Sequence, residues 1–259
     1  MKHFDYGMVI VPAAPVRKKP NHRQEMSNQL LFGEAVKILG RKNATWIKIE
    51  SIFDGYVGWT TSHLLAVTDE AAALKPCHTL APQLLNEIRI QKQTMQLPLG
   101  ASLRNLQHKR GSVGDIAFSF AEKPLNPTAI KDKKKFILKQ ARLWLNAPYM
   151  WGGKTILGVD CSGFCQTLYK IAGVAIARDA WEQALQGRRV RSLKTAGPGD
   201  LAFFEEDDKI VHVGLIIGDQ QIIHASGKVR IDHLDKKGII HSDTGERTHT
   251  LKLIRRFID

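Results

Sequence analysis

All of the helical spacing in this chain falls in one block, from about Lys131 to Gly187, and alternating segments broken by turn residues lie on both sides of it. That order excludes repeated strand–helix–strand units. Helices followed by an antiparallel run make an α+β domain, and whatever precedes them must close small all-β cores of its own. Within the block, Phe136, Ile137, Gln140, Trp144 and Leu145 mark a helix from Lys131 to Asn146 that stops before Pro148. Cys161 to Ala172 forms a second with Gly173 beyond its end, and Asp179 to Gln186 a third closed by Gly187. Strands follow at Asp200–Glu205, Ile210–Ile217, Gln221–Ala225, Lys228–Ile231 and Leu251–Phe257, which reads as a meander.

Ahead of the block, Val9 to Thr68 alternates short apolar runs such as Val36-Lys37-Ile38-Leu39 and Trp46-Ile47-Lys48-Ile49 with turn residues, Asp54-Gly55 among them. Residues 1–68 are therefore expected to form a small barrel. Residues 73–127 carry weaker signals, with Gly100, Gly111 and Gly114 punctuating short stretches and Ile116 to Phe120 alternating like a strand. A second, divergent barrel or a connector fits that length. Pro124 to Pro127 reads as a linker, leaving residues 128–259 as the α+β domain.

The 259 residues carry a net charge of +13, which raises the question of a polyanionic partner. The basic residues are dispersed, however, and the densest run, Lys133-Lys134-Lys135, belongs to the exposed side of a helix, so no nucleic acid is expected. No apolar run is long enough to cross a membrane, and Met1 to Tyr6 lacks a basic stretch leading into an apolar one. The expected location is the cytoplasm, or outside it if a leader has been removed. Three cysteines form no disulfide framework, and Cys161 and Cys165, one helical turn apart, are poor partners, which suits a reducing compartment.

Cys161 falls where a loop opens a helix, and the unpaired N–H groups there favour a thiolate. A free cysteine is more often a small core residue, a description that fits Cys165 well. What separates Cys161 is the supply of a base. His212 lies on the face opposite Val211, Val213 and Leu215, with Gly214 leaving room beside its ring, and His224 lies on the next strand. A hairpin centred on Gly218 would set the two histidines opposite each other, close enough for one to orient the other. Two histidines and a thiolate could also hold zinc, but no fourth ligand at tight spacing appears, so neither metal nor cofactor is expected.

Tyr149-Met150-Trp151-Gly152-Gly153, Gly158-Val159-Asp160-Cys161-Ser162-Gly163-Phe164, Arg178-Asp179, Gln183, Gly199-Asp200-Leu201, His212-Val213-Gly214 and His224-Ala225-Ser226 together resemble the NlpC/P60 cysteine peptidase family, in family order over some 110 residues. The first segment resembles the bacterial SH3 (SH3b) domain through Pro15 to Pro20, Gln29 to Glu34, Trp46 and Asp54-Gly55-Tyr56-Val57-Gly58-Trp59. The resemblance implies a papain-like domain with Cys161 as nucleophile, His212 as general base and His224 as the residue that orients it. The backbone N–H of Cys161 and a neighbour would meet the oxyanion, with Tyr149 able to add a hydroxyl.

SH3b followed by NlpC/P60 is similar to the γ-D-glutamyl-L-diamino acid endopeptidases, which cut murein peptides of the form L-Ala-γ-D-Glu-diamino acid. That similarity implies a pocket for the free amine and the D-Glu carboxylate built from Tyr149, Trp151, Asp160, Ser162, Arg178 and Asp179, closed by Tyr56 and Glu25. Taken singly, Asp160 and Asp179 read as helix N-caps and Tyr56 as a barrel aromatic. Ala180 and Ala177 depart from the family, where serine and proline are frequent. Two alternatives stand beside this reading: a secreted hydrolase acting on intact cell wall, and a non-catalytic peptide-binding protein.

Overall fold

The computed structural model describes residues 5–259, and Met1 to Phe4, the first part of the Met1 to Tyr6 stretch behind the leader expectation, lie outside them. The chain folds as two compact units, one of residues 5–129 with Trp151–Thr155 and one of Ile130–Met150 with Ile156–Asp259. Among the described residues no helix is long and apolar enough to cross a membrane.

In the first unit, β1 (Tyr6–Val9), β2 (Ala13–Arg17), β3 (Met26–Leu31), β4 (Ala35–Arg41), β5 (Trp46–Ser51), β6 (Val57–Thr61) and β7 (Leu65–Thr68) form a sheet in the order β3-β2-β6-β5-β4-β1-β7. Alternate residues turn inward, and Val16, Leu30, Val36, Ile47 and Ile49 make its core. The short helix α1 (Glu70–Leu74), capped by Asp69 accepting from the Ala72 N–H at 2.7 Å, leads into β8 (Leu85–Ile90), β9 (Gln93–Pro98), β10 (Arg110–Val113) and β11 (Ile116–Ser119), ordered β10-β11-β8-β9. One apolar core runs through both sheets, joining Met8 and Phe32 to Ile88, Leu97 and Phe118, so compactness does not break between residues 68 and 73. β12 (Lys154–Thr155) belongs to the same unit.

The second unit starts with α2 (Lys133–Leu143), followed by β13 (Gly158–Val159), α3 (Cys161–Ile171) and α4 (Ala180–Gln183). Every residue of α3 is buried, and the Trp144 ring meets Phe164 edge to face at 5.8 Å. A helix enclosed on all sides holds its first residue in a fixed place.

A sheet that meets α3 and α4 through β16 and β17 is built from β14 (Arg188–Val190), β15 (Leu201–Glu206), β16 (Lys209–Gly218), β17 (Gln221–Ser226), β18 (Lys228–Asp235), β19 (Gly238–Ile240) and β20 (Arg247–Arg256). The order is β14-β20-β15-β16-β17-β18-β19, and β19 also pairs with β20, so six strands close into a barrel. The meander read from the sequence is present, and β19, a strand that reading did not contain, closes it on β20. The closing strand is three residues long, too short to show a period. Its entry depends on Gly238, at φ +142°, where a Cβ would stand 1.8 Å from the His249 carbonyl oxygen.

Candidate active site

Asp160 caps α3, its Oδ1 accepting from the Gly163 N–H at 2.7 Å, and so places Cys161 at the first helical position. The thiol receives the backbone N–H groups of Val213 and Ser162, yet burial, followed by the charge of Asp160, pushes its pKa up to about 12. The helix start alone suggested a resting thiolate. Burial pulls the other way. Cys165, one turn deeper, is fully buried and pushed up by the same desolvation.

His212 on β16 and His224 on β17 are both buried, with Nε2 of His212 2.8 Å from Nδ1 of His224. Their pairing differs in register from the hairpin centred on Gly218. Leu215 pairs with Ile223 and Ile216 with Ile222, which carries His224 across from Gly214 and leaves His212 on the diagonal. The space beside His212 is thus filled by the partner ring. A Cβ on Gly214 would fall 2.7 Å from Ile222 Cδ1 and 2.9 Å from His224 Cβ. Gly214→Ala is accordingly expected to cost about 1–3 kcal/mol by overpacking and to lower kcat by moving His224. A melt and a Michaelis curve on the same preparation would check both effects.

Burial, together with the neighbouring histidines, lowers the pKa of His212 well below its ordinary value. Two residues that the sequence reading did not single out complete the cluster. Asp232 on β18 accepts from His224 Nε2 at 3.0 Å, and His249 on β20 stacks on His212 with ring centroids 4.2 Å apart. Burial pushes the pKa of His249 down to about 4. A cleft of about 840 Å3 opens beside this cluster, lined by Tyr149, His212, Ser226, Thr248, His249 and Glu206 among others. Burial, then the nearby Cys161 and Asp160, raises the pKa of the Tyr149 hydroxyl, which therefore stays protonated and able to donate.

The residues expected to bind substrate fall in both units. In the second, Arg178 donates to Asp160 Oδ2 from Nη2 at 2.6 Å and to Oδ1 from Nη1 at 3.1 Å, and also to the Ser162 hydroxyl at 2.8 Å. The Asp160 charge is thereby matched within the fold, and its position is that of an N-cap. Asp179 caps α4, stays partly exposed, and has its pKa raised by burial. In the first unit, Glu25 Oε1 accepts from the Trp151 indole at 2.6 Å while Oε2 pairs with Lys18 at 2.8 Å. Tyr56 directs its hydroxyl at the Ser27 carbonyl oxygen, 3.5 Å away.

The model of the NlpC/P60 family matches residues 146–248, and that of the bacterial dipeptidyl-peptidase SH3 domain matches residues 16–65. A gamma-D-glutamyl-L-lysine dipeptidyl-peptidase of Bacillus subtilis (strain 168) is 30% identical over 223 residues, 77% of this chain and 72% of the relative. Dipeptidyl-peptidase 6 of Lysinibacillus sphaericus is 25% identical over 261 residues, 89% of this chain and 92% of the relative. Among solved structures, an NlpC/P60 family protein from Bacillus cereus ATCC 10987 superposes with a TM-score of 0.80 at 20% identity, over 98% of this chain and 100% of the other, a likeness of fold.

Proposed function

Because the chain belongs to the NlpC/P60 family of peptidases and carries a bacterial SH3 domain ahead of the catalytic one, we propose that it is a cysteine peptidase cutting the amide between γ-D-Glu and the diamino acid of murein peptides whose L-Ala amine is free. The observation that carries this reading is a cysteine fixed at the start of a buried helix, its sulfur held by the N–H of Val213, the residue after a histidine already oriented by a second one. Relatives named for γ-D-glutamyl-L-lysine peptidase activity support the choice of bond.

In the reaction, His212 takes the proton from the Cys161 sulfur as that sulfur attacks the γ-carbonyl carbon of D-Glu. The carbonyl oxygen becomes an oxyanion beside the N–H groups at the start of α3, with the Tyr149 hydroxyl as a further donor. His212 then returns the proton to the leaving amine, and the C–N bond breaks to leave a thioester. Water, deprotonated by the same imidazole, hydrolyses the thioester and restores the thiol. No step requires a metal. Asp179 is the proposed contact for the L-Ala ammonium and Ser162 with Arg178 for the D-Glu carboxylate. A cytoplasmic role in peptidoglycan recycling is part of the same proposal, because peptides released from the wall present that free amine.

The test is incubation with L-Ala-γ-D-Glu-L-Lys and its diaminopimelate counterpart, each with a free and an acetylated amine, followed by mass spectrometry. The free peptides should yield the L-Ala-D-Glu dipeptide, with EDTA without effect and iodoacetamide abolishing turnover. Acetylation removes the charge-assisted contact to Asp179, so kcat/KM should fall by about 10- to 100-fold. Equal cleavage of both forms would overturn the free-amine reading in favour of a hydrolase of intact wall, and no cleavage of any of them would overturn the substrate.

A further inference from the structure

We propose that Asp232 is a positioning residue that sets the tautomer of His212 through His224, so that Nδ1 of His212 is the atom that takes the thiol proton. This rests on the peptidase reading only for its kinetic arm. Asp232 is 1% exposed, as is His224, so solvent supplies no competing partner for the bond between them. Its other oxygen, Oδ1, faces two groups that can only donate, Arg230 Nη2 at 2.9 Å and the Ser242 N–H at 2.9 Å. Burial pushes the Asp232 pKa up, but the hydrogen bonds from His224, Ser242 and Arg230 outweigh it and hold the carboxyl well below the usual range. Asp232 is therefore an ionised acceptor on both oxygens.

The consequence runs along the chain of contacts. His224 must keep its proton on Nε2 to meet Asp232, and because burial lowers its pKa, it carries no second one. Its Nδ1 is then a lone pair, so the 2.8 Å contact with His212 requires His212 to donate from Nε2. In a neutral imidazole the other nitrogen is unprotonated, which leaves Nδ1 of His212 as its basic atom. When it takes the proton of Cys161, the new positive charge rests against His224 backed by a carboxylate, without any proton reaching Asp232.

Asp232→Asn inverts the logic while keeping the shape. The amide oxygen must face the two donors, Arg230 and Ser242, so the NH2 points at His224 Nε2 and turns it into an acceptor. His224 then donates from Nδ1, His212 accepts at Nε2, and its own proton moves to Nδ1, the atom that should be free.

The experiment is 15N–1H correlation spectroscopy of the histidine rings, combined with kinetics and alkylation of Cys161 by iodoacetamide read at each cysteine by mass spectrometry. In the unaltered protein both rings should be neutral with protons on Nε2. In Asp232→Asn both should shift to Nδ1, with kcat lower by about 100- to 10,000-fold, KM within about threefold, and alkylation of Cys161 slowed in parallel. A proton on Nδ1 of His212 in the unaltered protein would overturn the proposal, whether or not the variant folds. So would a variant whose kcat and tautomer are unchanged. Spectra and alkylation need no substrate, so failure of the murein-peptide assay leaves this test intact.

Discussion

Replacing Cys161 by serine or alanine is expected to lower kcat by about 10,000-fold or more while leaving the fold in place, because the thiol nucleophile is lost. The position asks only for a small residue at the first turn of α3, capped by Asp160. Cys165→Ala should keep most activity, since that thiol is sealed in the core. His212→Ala should cost nearly as much as Cys161→Ala, and the double variant little more, because the two act as one unit. His212 must be neutral to accept a proton, and burial lowers its pKa, so kcat/KM should hold as pH falls through the ordinary histidine range and drop only below it. An acidic limb centred near or above an ordinary histidine value, or full activity from Cys161→Ala, would count against the assignment.

How much of this was legible in the sequence depended on where strand ends fall. His212 and His224 sit well inside long alternating runs, and their strands formed as expected. Asp232 lies one residue beyond the expected end of its strand at Ile231, and His249 two residues before the expected start at Leu251. The missed residues therefore lie just past the expected boundaries, where polar side chains facing a site blur the apolar period and the strands run on. The flanking pair Thr248 and Thr250, with β-branched side chains, was the available signal that β20 begins earlier. Register was beyond reach for a different reason. A bulge between Ile216 and Gly218 shifts the hairpin by an amount that no count from the turn can supply. The opposing effect of burial on Cys161 was also hidden, because a helix start is visible in sequence and desolvation is not.

The pairing of Arg178 with Asp160 is expected to carry a large stability effect. Both side chains are nearly without exposure, at 1% and 7%, and the guanidinium spans both carboxylate oxygens while also reaching Ser162. Arg178→Met should destabilise the protein by about 3–5 kcal/mol, because it removes the guanidinium that spans both oxygens of a buried carboxylate at the cap of the helix that bears Cys161. Asp160→Asn on its own takes away the carboxylate that the buried Arg178 guanidinium spans and should cost a similar amount, although asparagine still caps α3. Combining the two changes removes both charges, and most of the lost stability should return. Activity should not return with it, since the proposed contacts to the D-Glu carboxylate go with Arg178. Urea melts of the two single variants and the double, alongside kcat/KM on the tripeptide, separate these roles. If the losses simply add, the pair is not coupled, and if the double variant regains turnover, Arg178 holds the helix start and nothing of the substrate.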